Sequence, residues 1–107
     1  MVPVASGAAL AGTVDTAVFL AQRPGLFRKA PGRAVGSAAF GALWLTLATR
    51  TALERTPATP TLALAAVVAA GNAAMLAVHL RHRIMSPRVF AGAALSAVAL
   101  ADVLRRR

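Results

Sequence analysis

The feature that most constrains this chain is the placement of its charged residues, which gather at the ends of long uncharged stretches. Residues 34–49 and 56–80 contain no Asp, Glu, Lys or Arg, and Asp15 is the only charged residue among the first 22. An ordinary soluble domain is about 25% charged, whereas this chain is 14% charged and 58% hydrophobic. Because a bilayer excludes charge from its hydrocarbon core and accepts it among the headgroups, this placement predicts membrane-spanning segments.

Prolines and glycines divide the apolar stretches into four predicted helices joined by short loops. The loops hold "RPG" at 23–25, "TPATPT" at 56–61 and "SP" at 86–87, all of which interrupt a helix. The predicted helices cover about residues 3–22, 32–52, 60–80 and 88–104. We therefore predict an all-α integral membrane four-helix bundle, a single transmembrane domain over 1–107 built from two helical hairpins. The uncharged part of the last helix is short, so an interfacial helix is the alternative there.

The formal net charge of +9 comes from four groups of basic residues, each beside an apolar stretch. Such positions suit contact with lipid headgroups. No aromatic residues alternate with the basic ones, as a platform for stacking bases would require. We therefore predict the lipid bilayer as the partner of these side chains, and not nucleic acid. The groups are Arg23, Arg28, Lys29 and Arg33; Arg50 and Arg55; Arg81, Arg83 and Arg88; and Arg105, Arg106 and Arg107.

The same residues bear on orientation and location. The loops after the first and third predicted helices hold seven Lys or Arg, and the other side holds five. The positive-inside rule then favours both termini outside, and the small difference leaves insertion in both orientations as the alternative. Arginine outnumbers lysine eleven to one and alanine forms about a quarter of the chain. This composition favours a GC-rich bacterial genome, and hence a multi-pass protein of the bacterial plasma (inner) membrane.

Asp15 stands in the middle of the first apolar stretch, between Thr13 and Thr16. Its distance from the helix end places it about 10 Å from the interface, nearly level with Asn72 if the first and third predicted helices are parallel. An ionised carboxylate at this depth is costly. Asp15 is therefore expected to form a polar clasp, protonated and sharing hydrogen bonds with Asn72, Thr13 or Thr16. The alternative is that it faces a watery cavity and binds protons or cations.

Small residues four positions apart occur in the first, second and fourth predicted helices. In lipid, such pairs let helix backbones approach closely. We expect helix–helix packing at these positions, at Gly12, Gly41, Gly92 and Ser96.

The two halves of the chain resemble each other weakly. Asp15 aligns with Asn72 at an offset of 57, and Pro31 aligns with Pro87 at an offset of 56. A duplicated hairpin would make the first and third helices parallel. Coincidence in an alanine-rich chain is the alternative.

The sequence carries no signature of catalysis or of metal binding. It contains no Cys, and no carboxylate or thiol accompanies His79 and His82 to complete a metal site. Asp102 is expected to pair with Arg105 or Arg106, and Glu54 with the arginines beside it, so paired carboxylates for acid–base chemistry are not expected. We predict a protein that is not an enzyme and has no cofactor or metal ion.

Two functions fit these features. The first is a non-enzymatic interaction protein, either an accessory subunit of a larger membrane complex or a self-associating bundle, as a homodimer. The second is an oligomeric small transporter or channel for protons, ions or small cations that uses Asp15. In size, helix number and the single acid of its first helix, the chain resembles small multidrug-resistance exporters, which implies the second function. It has Asp where they have Glu, no Tyr, and its Trp44 lies in the second helix. A phage-type holin is a third alternative, suggested by size and the basic tail.

Overall fold

The computed structural model describes residues 4–107, and its secondary structure within that range is entirely helical, as predicted. Four long helices correspond to the predicted ones, and their described ends lie within one residue of the predicted bounds. The predicted start at residue 3 lies outside the described residues. In chain order the helices are α1 (Val4–Ala21), α2 (Leu26–Lys29), α3 (Pro31–Leu53), α4 (Thr59–Arg81) and α5 (Pro87–Arg105).

The predicted count of four helices is not confirmed, because residues 4–107 form five. The additional helix, α2, is one turn within the loop after α1, closed by a hydrogen bond from the Ala30 N–H to the Leu26 carbonyl at 2.8 Å. Ala30 then leaves the helical region (φ −144°, ψ 70°), since a residue that precedes proline avoids it. Pro31 starts α3 at a position where its missing N–H costs nothing. This break keeps α2 and α3 apart.

Three of the described helices, α1, α4 and α5, are long and apolar enough to cross a membrane. They make the chain compatible with a small membrane protein. The last helix, for which an interfacial position was the alternative, is among them. α3 is not, although its 23 residues would extend about 35 Å. Its uncharged part, residues 34–49, is only 16 residues long, so a membrane-length segment includes Arg33 or Arg50, and glycines, threonines and Ser37 also interrupt its apolar residues.

Consecutive long helices run in opposite directions. Ser6, near the start of α1, contacts Thr51, near the end of α3, whereas Thr16 lies against Gly41, nearer the start of α3. The main contacts of α1 are with α3 and α5, and those of α4 are with α5 and, over a shorter length, with α3. α1 and α4 are therefore parallel and occupy diagonal positions.

The centre of the bundle consists mainly of alanine, and the larger apolar side chains point outward. Val14, Leu45 and Val67 are about half exposed. A soluble domain buries its large apolar side chains preferentially, whereas helices in lipid pack through small residues and turn their bulky ones to the acyl chains. The buried apolar residues are Ala5, Ala8, Ala9, Ala34, Trp44, Leu47, Ala48, Ala65, Val68, Ala99 and Val103.

Candidate functional site

Asp15 forms an ion pair with Arg88, the second residue of α5. Arg88 donates from Nε to Oδ1 at 3.0 Å and from Nη2 to Oδ2 at 2.9 Å, a two-pronged contact that fixes both groups. The side chains of Asp15 and Arg88 are 46% and 44% exposed. Asp15 lies six residues before the end of α1, about 9 Å along the helix axis. The two opposite charges therefore neutralise each other in an ion pair that lies on the outer side of α1 and is only about half buried.

Phe19 extends this site by one turn of α1 towards the loop. The central carbon of the Arg88 guanidinium lies 4.4 Å from the centre of the Phe19 ring, and that of Arg23 lies 4.8 Å from it. Both distances allow a cation–π attraction. The site thus contains two guanidinium groups and one carboxylate, so it keeps an excess of positive charge.

The other polar residues predicted for this site bind elsewhere. Thr13, Thr16 and Asn72 each donate to the backbone carbonyl four residues earlier in their own helix, all at 2.9 Å. This is a usual arrangement where no water is available to satisfy a polar side chain. The structure does not join these three residues to Asp15 in one hydrogen-bonded group.

Asn72 and Asp15 nevertheless lie at similar levels along the bundle axis, because both border the first turns of α5. A Cβ placed on Gly92 would come 2.6 Å from Asn72 Oδ1, so α4 and α5 are in close contact there. Gly92 and Arg88 are four residues apart, a rise of about 6 Å. Ser96, one turn further along α5, is buried and donates to the Ala93 carbonyl at 3.0 Å.

The α1–α3 contact depends on two of the glycines predicted for packing. A Cβ on Gly12 would lie 2.5 Å from the Trp44 indole, and one on Gly41 would lie 2.9 Å from Thr16 Cγ2. Both positions need a residue without a side chain for the helices to approach as they do. The sequence analysis missed Gly71, whose Cβ would lie 2.7 Å from a ring carbon of Phe40.

The opposite end of the bundle contains a second polar group, centred on Asp102. Its side chain is 4% exposed and accepts hydrogen bonds from the Ala5 N–H at 3.0 Å and from Arg105 at 2.6 Å. Arg106 approaches to 3.8 Å. The predicted pairing with Arg105 and Arg106 is confirmed. The bond to Ala5 was not predicted, and it satisfies a free N–H at the positive end of the α1 dipole.

Arg106 connects α5 to the end of α3. It donates to the backbone carbonyls of Thr51, Glu54 and Arg55, which lie in the last turn of α3 and just after it, where no further helical N–H follows to bond them. Beside it, the hydroxyls of Ser6 and Thr51 are hydrogen-bonded at 2.9 Å and buried. We call this end network the polar cap; it holds α1, α3 and α5 together and consists of Ser6, Thr51, Asp102 and Arg106.

Glu54 extends these contacts to the start of α4. Its carboxylate accepts from the Ala58 N–H at 2.8 Å and from the Thr61 hydroxyl at 2.7 Å. The bond from Ala58 is the largest cause that lowers the pKa of Glu54 from its usual 4.5, and the bond from Thr61 is the next. Desolvation raises this pKa, and the charges of Arg50 and Arg106 lower it further. The predicted pairing with Arg50 is present at 3.6 Å.

We expect Glu54 to stabilise the fold at neutral pH and to lose this contribution in acid. Since the folded-state pKa is the lower one, the contribution is complete above the usual value of 4.5 and disappears as the pH falls through the folded-state pKa. The melting temperature of the detergent-solubilised protein should fall between about pH 6 and about pH 3, and it should fall less for Glu54→Gln than for the wild type. An equal loss in the two proteins would contradict the role of this carboxylate.

Comparison of the chain with protein-family models, with curated proteins and with solved structures gives no match. Within the described residues, no group of three or more His, Cys, Asp or Glu is placed to hold a metal ion. His79 bonds through Nδ1 to the Met75 carbonyl of its own helix at 2.8 Å. The chemistry present at Asp15 and at the polar cap is charge pairing, hydrogen bonding and close helix packing.

Proposed function

We propose that the chain is a small polytopic protein of the bacterial inner membrane without enzymatic activity, and that it acts by self-association or as an accessory subunit. In this proposal α3 also crosses the bilayer. It packs antiparallel to α1, and Thr46, Thr49 and Thr51 each donate to the carbonyl four residues earlier. These hydroxyls therefore need no water, which reduces the cost of placing a less apolar helix in lipid.

The observation that carries the proposal is the half-exposed Asp15–Arg88 ion pair on an otherwise apolar surface of α1. The surface is a shallow groove that Asp15 borders and that lies along one side of the helix. A charged pair facing lipid is costly, and contact with protein lowers that cost. The other residues of the groove are Gly7, Leu10, Ala11, Val14 and Val18.

A second copy of the chain fits this groove. A twofold axis along the membrane normal would place the two α1 helices parallel, with each Asp15 at the same depth. Each carboxylate could then contact the partner's Arg88 as well as its own, so that the four charges alternate in sign. Gly7 and Ala11 are spaced for close approach of the two backbones, and a Cβ on Gly7 would meet no atom of its own chain within 4 Å.

The oligomeric state in detergent and in liposomes tests the proposal. Gly7→Leu should weaken self-association about tenfold or more, because the new side chain fills the groove. Gly36→Leu on α3 is the matched control, since a Cβ there also meets nothing within 4 Å. Energy transfer between labelled copies, measured against the protein-to-lipid ratio, should fall for Gly7→Leu and not for Gly36→Leu. A monomeric wild type, or equal behaviour of the two variants, would contradict self-association through α1.

The second candidate is an oligomeric small transporter or channel for protons, ions or small cations. It is favoured by the position of Asp15, whose carboxylate borders the groove while remaining half exposed. Asp15→Asn separates the two functions. Proteoliposomes that lose proton or cation flux while the oligomer persists would support transport. Loss of the oligomer, with no flux in either protein, would support the packing role.

A further inference from the structure

The two ends of the bundle use their basic residues differently. At the end where α1 begins and α5 ends, three of five arginines are bound internally: Arg50 to Glu54, Arg105 to Asp102, and Arg106 to Asp102 and α3 carbonyls. A fourth, Arg107, donates to the Thr59 hydroxyl at 3.3 Å. With two carboxylates, this end has a net charge of +3 when histidine is neutral.

The other end has seven basic residues and one carboxylate, a net charge of +6 under the same convention. We call it the basic face: it lies where α1 and α4 end and α3 and α5 begin. Its carboxylate, Asp15, is bound to Arg88. The remaining six basic side chains form no ion pair within the described residues and are exposed. They are Arg23, Arg28, Lys29, Arg33, Arg81 and Arg83.

Apolar side chains protrude between these charges. Phe27, Ile84 and Met85 are exposed in the connections of the basic face, Met85 by 72%. Exposed apolar side chains among basic ones are typical of surfaces that lie in the headgroup region, where the charges meet phosphates and the apolar groups enter the acyl boundary. A surface for nucleic acid would not need these protruding aliphatic groups.

Arg83 adds a conformational observation. It lies two residues after the last residue of α4 with φ 56°, and the Ile84 N–H bonds back to the His79 carbonyl at 2.8 Å. This is the left-handed helix end at which glycine is normally favoured. An arginine at this position directs another cation to the basic face in spite of the strained backbone.

We propose that the basic face binds the headgroups of anionic phospholipids and lies in the more anionic leaflet, so that both termini face the other side of the membrane. This inference rests on membrane insertion as proposed above, but not on self-association. Each basic residue near a negatively charged membrane surface strengthens binding by roughly fivefold. Six exposed cations without an ion pair on one end, against five arginines on the other of which three are bound internally, give the molecule a preference for one leaflet.

The test compares lipid preference in reconstituted nanodiscs that contain either phosphatidylcholine alone or about one third phosphatidylglycerol. Association of a labelled anionic lipid with the protein is measured for Arg28→Gln/Lys29→Gln, which removes two charges from α2. The matched control, Arg55→Gln/Arg107→Gln, removes two charges from the opposite end. We expect the first double variant to weaken anionic-lipid binding by roughly 25-fold and the control by less than about threefold.

Equal losses in the two double variants, or no preference for the anionic lipid in the wild type, would overturn the inference. Displacement of the anionic lipid by RNA at low concentration would also overturn it, in favour of a nucleic-acid surface. A wild-type protein that fails to insert into nanodiscs would overturn the proposed membrane function itself. A monomer that inserts and prefers anionic lipid would overturn only self-association.

Discussion

Replacing Gly12 with alanine is expected to destabilise the helix bundle by about 1–3 kcal/mol, because overpacking a close contact forces side chains or backbones apart. The added Cβ would lie 2.5 Å from two indole carbons of Trp44. Trp44 is 2% exposed and lies edge-on to Phe40, with 6.3 Å between ring centres. It is also the only tryptophan in the chain, so its fluorescence reports directly on this contact during unfolding by a denaturing detergent.

Gly36→Ala is the matched control for this experiment. It adds the same methyl group to a helical glycine outside the proposed α1 interface, at a position where nothing lies within 4 Å of the new atom. Because alanine forms helix better than glycine, this variant should keep the stability of the wild type or exceed it by up to about 1 kcal/mol. If Gly12→Ala and Gly36→Ala unfold at the same detergent concentration, the α1–α3 contact does not have the geometry described above.

Replacing Asp102 with alanine is expected to cost about 1.5–3 kcal/mol, the usual range for losing hydrogen bonds to a charged group. The substitution leaves the Ala5 N–H without its acceptor and leaves Arg106, whose side chain is 17% exposed, without its carboxylate. The loss should appear as lower thermal stability in detergent, with the ends of α1 and α5 becoming accessible to hydrogen exchange. Arg105→Ala should have a small effect, because the Arg105 side chain is 74% exposed.

Asp15→Asn provides the contrast within the same chain. The Asp15–Arg88 pair is half exposed, and exposed pairs contribute about 0.2–1 kcal/mol. The stability of the monomer should therefore depend on Asp102 far more than on Asp15. A larger loss for Asp15→Asn than for Asp102→Ala, measured under conditions that keep the protein monomeric, would reverse this assignment of roles.

The helix bounds could be predicted to within one residue because local chemistry sets them. Pro31 and Pro87 sit in the first turns of α3 and α5, where proline is favoured. Three of the glycines that permit close packing, Gly12, Gly41 and Gly92, were visible as small-residue pairs for the same local reason, whereas Gly71 was not. α2 was not predicted, since a single turn between "RPG" and Pro31 leaves no periodic pattern.

The partners of the charged residues were harder to predict because they depend on which helices are neighbours. Asp15 and Asn72 match in sequence position, but α1 and α4 occupy diagonal positions and Asp15 meets Arg88 on α5. Arg106 was interpreted as a headgroup contact, yet its main partners are carbonyls at the end of α3. The sequence contained one indication of the contact between Asp15 and Arg88. In antiparallel helices joined by short loops, the end of the first helix and the start of the last lie at the same level along the bundle axis.

Accessibility of single cysteines in intact vesicles tests bilayer insertion most directly, since the chain contains no Cys of its own. A water-soluble maleimide that cannot cross membranes should label Lys29→Cys and Arg55→Cys from opposite sides. Leu45→Cys on α3 and Val67→Cys on α4 are about half exposed on the bundle surface, and lipid should protect both until detergent is added. Labelling of Leu45→Cys and Val67→Cys without detergent, as fast as at the loop positions, would contradict a bundle surrounded by lipid.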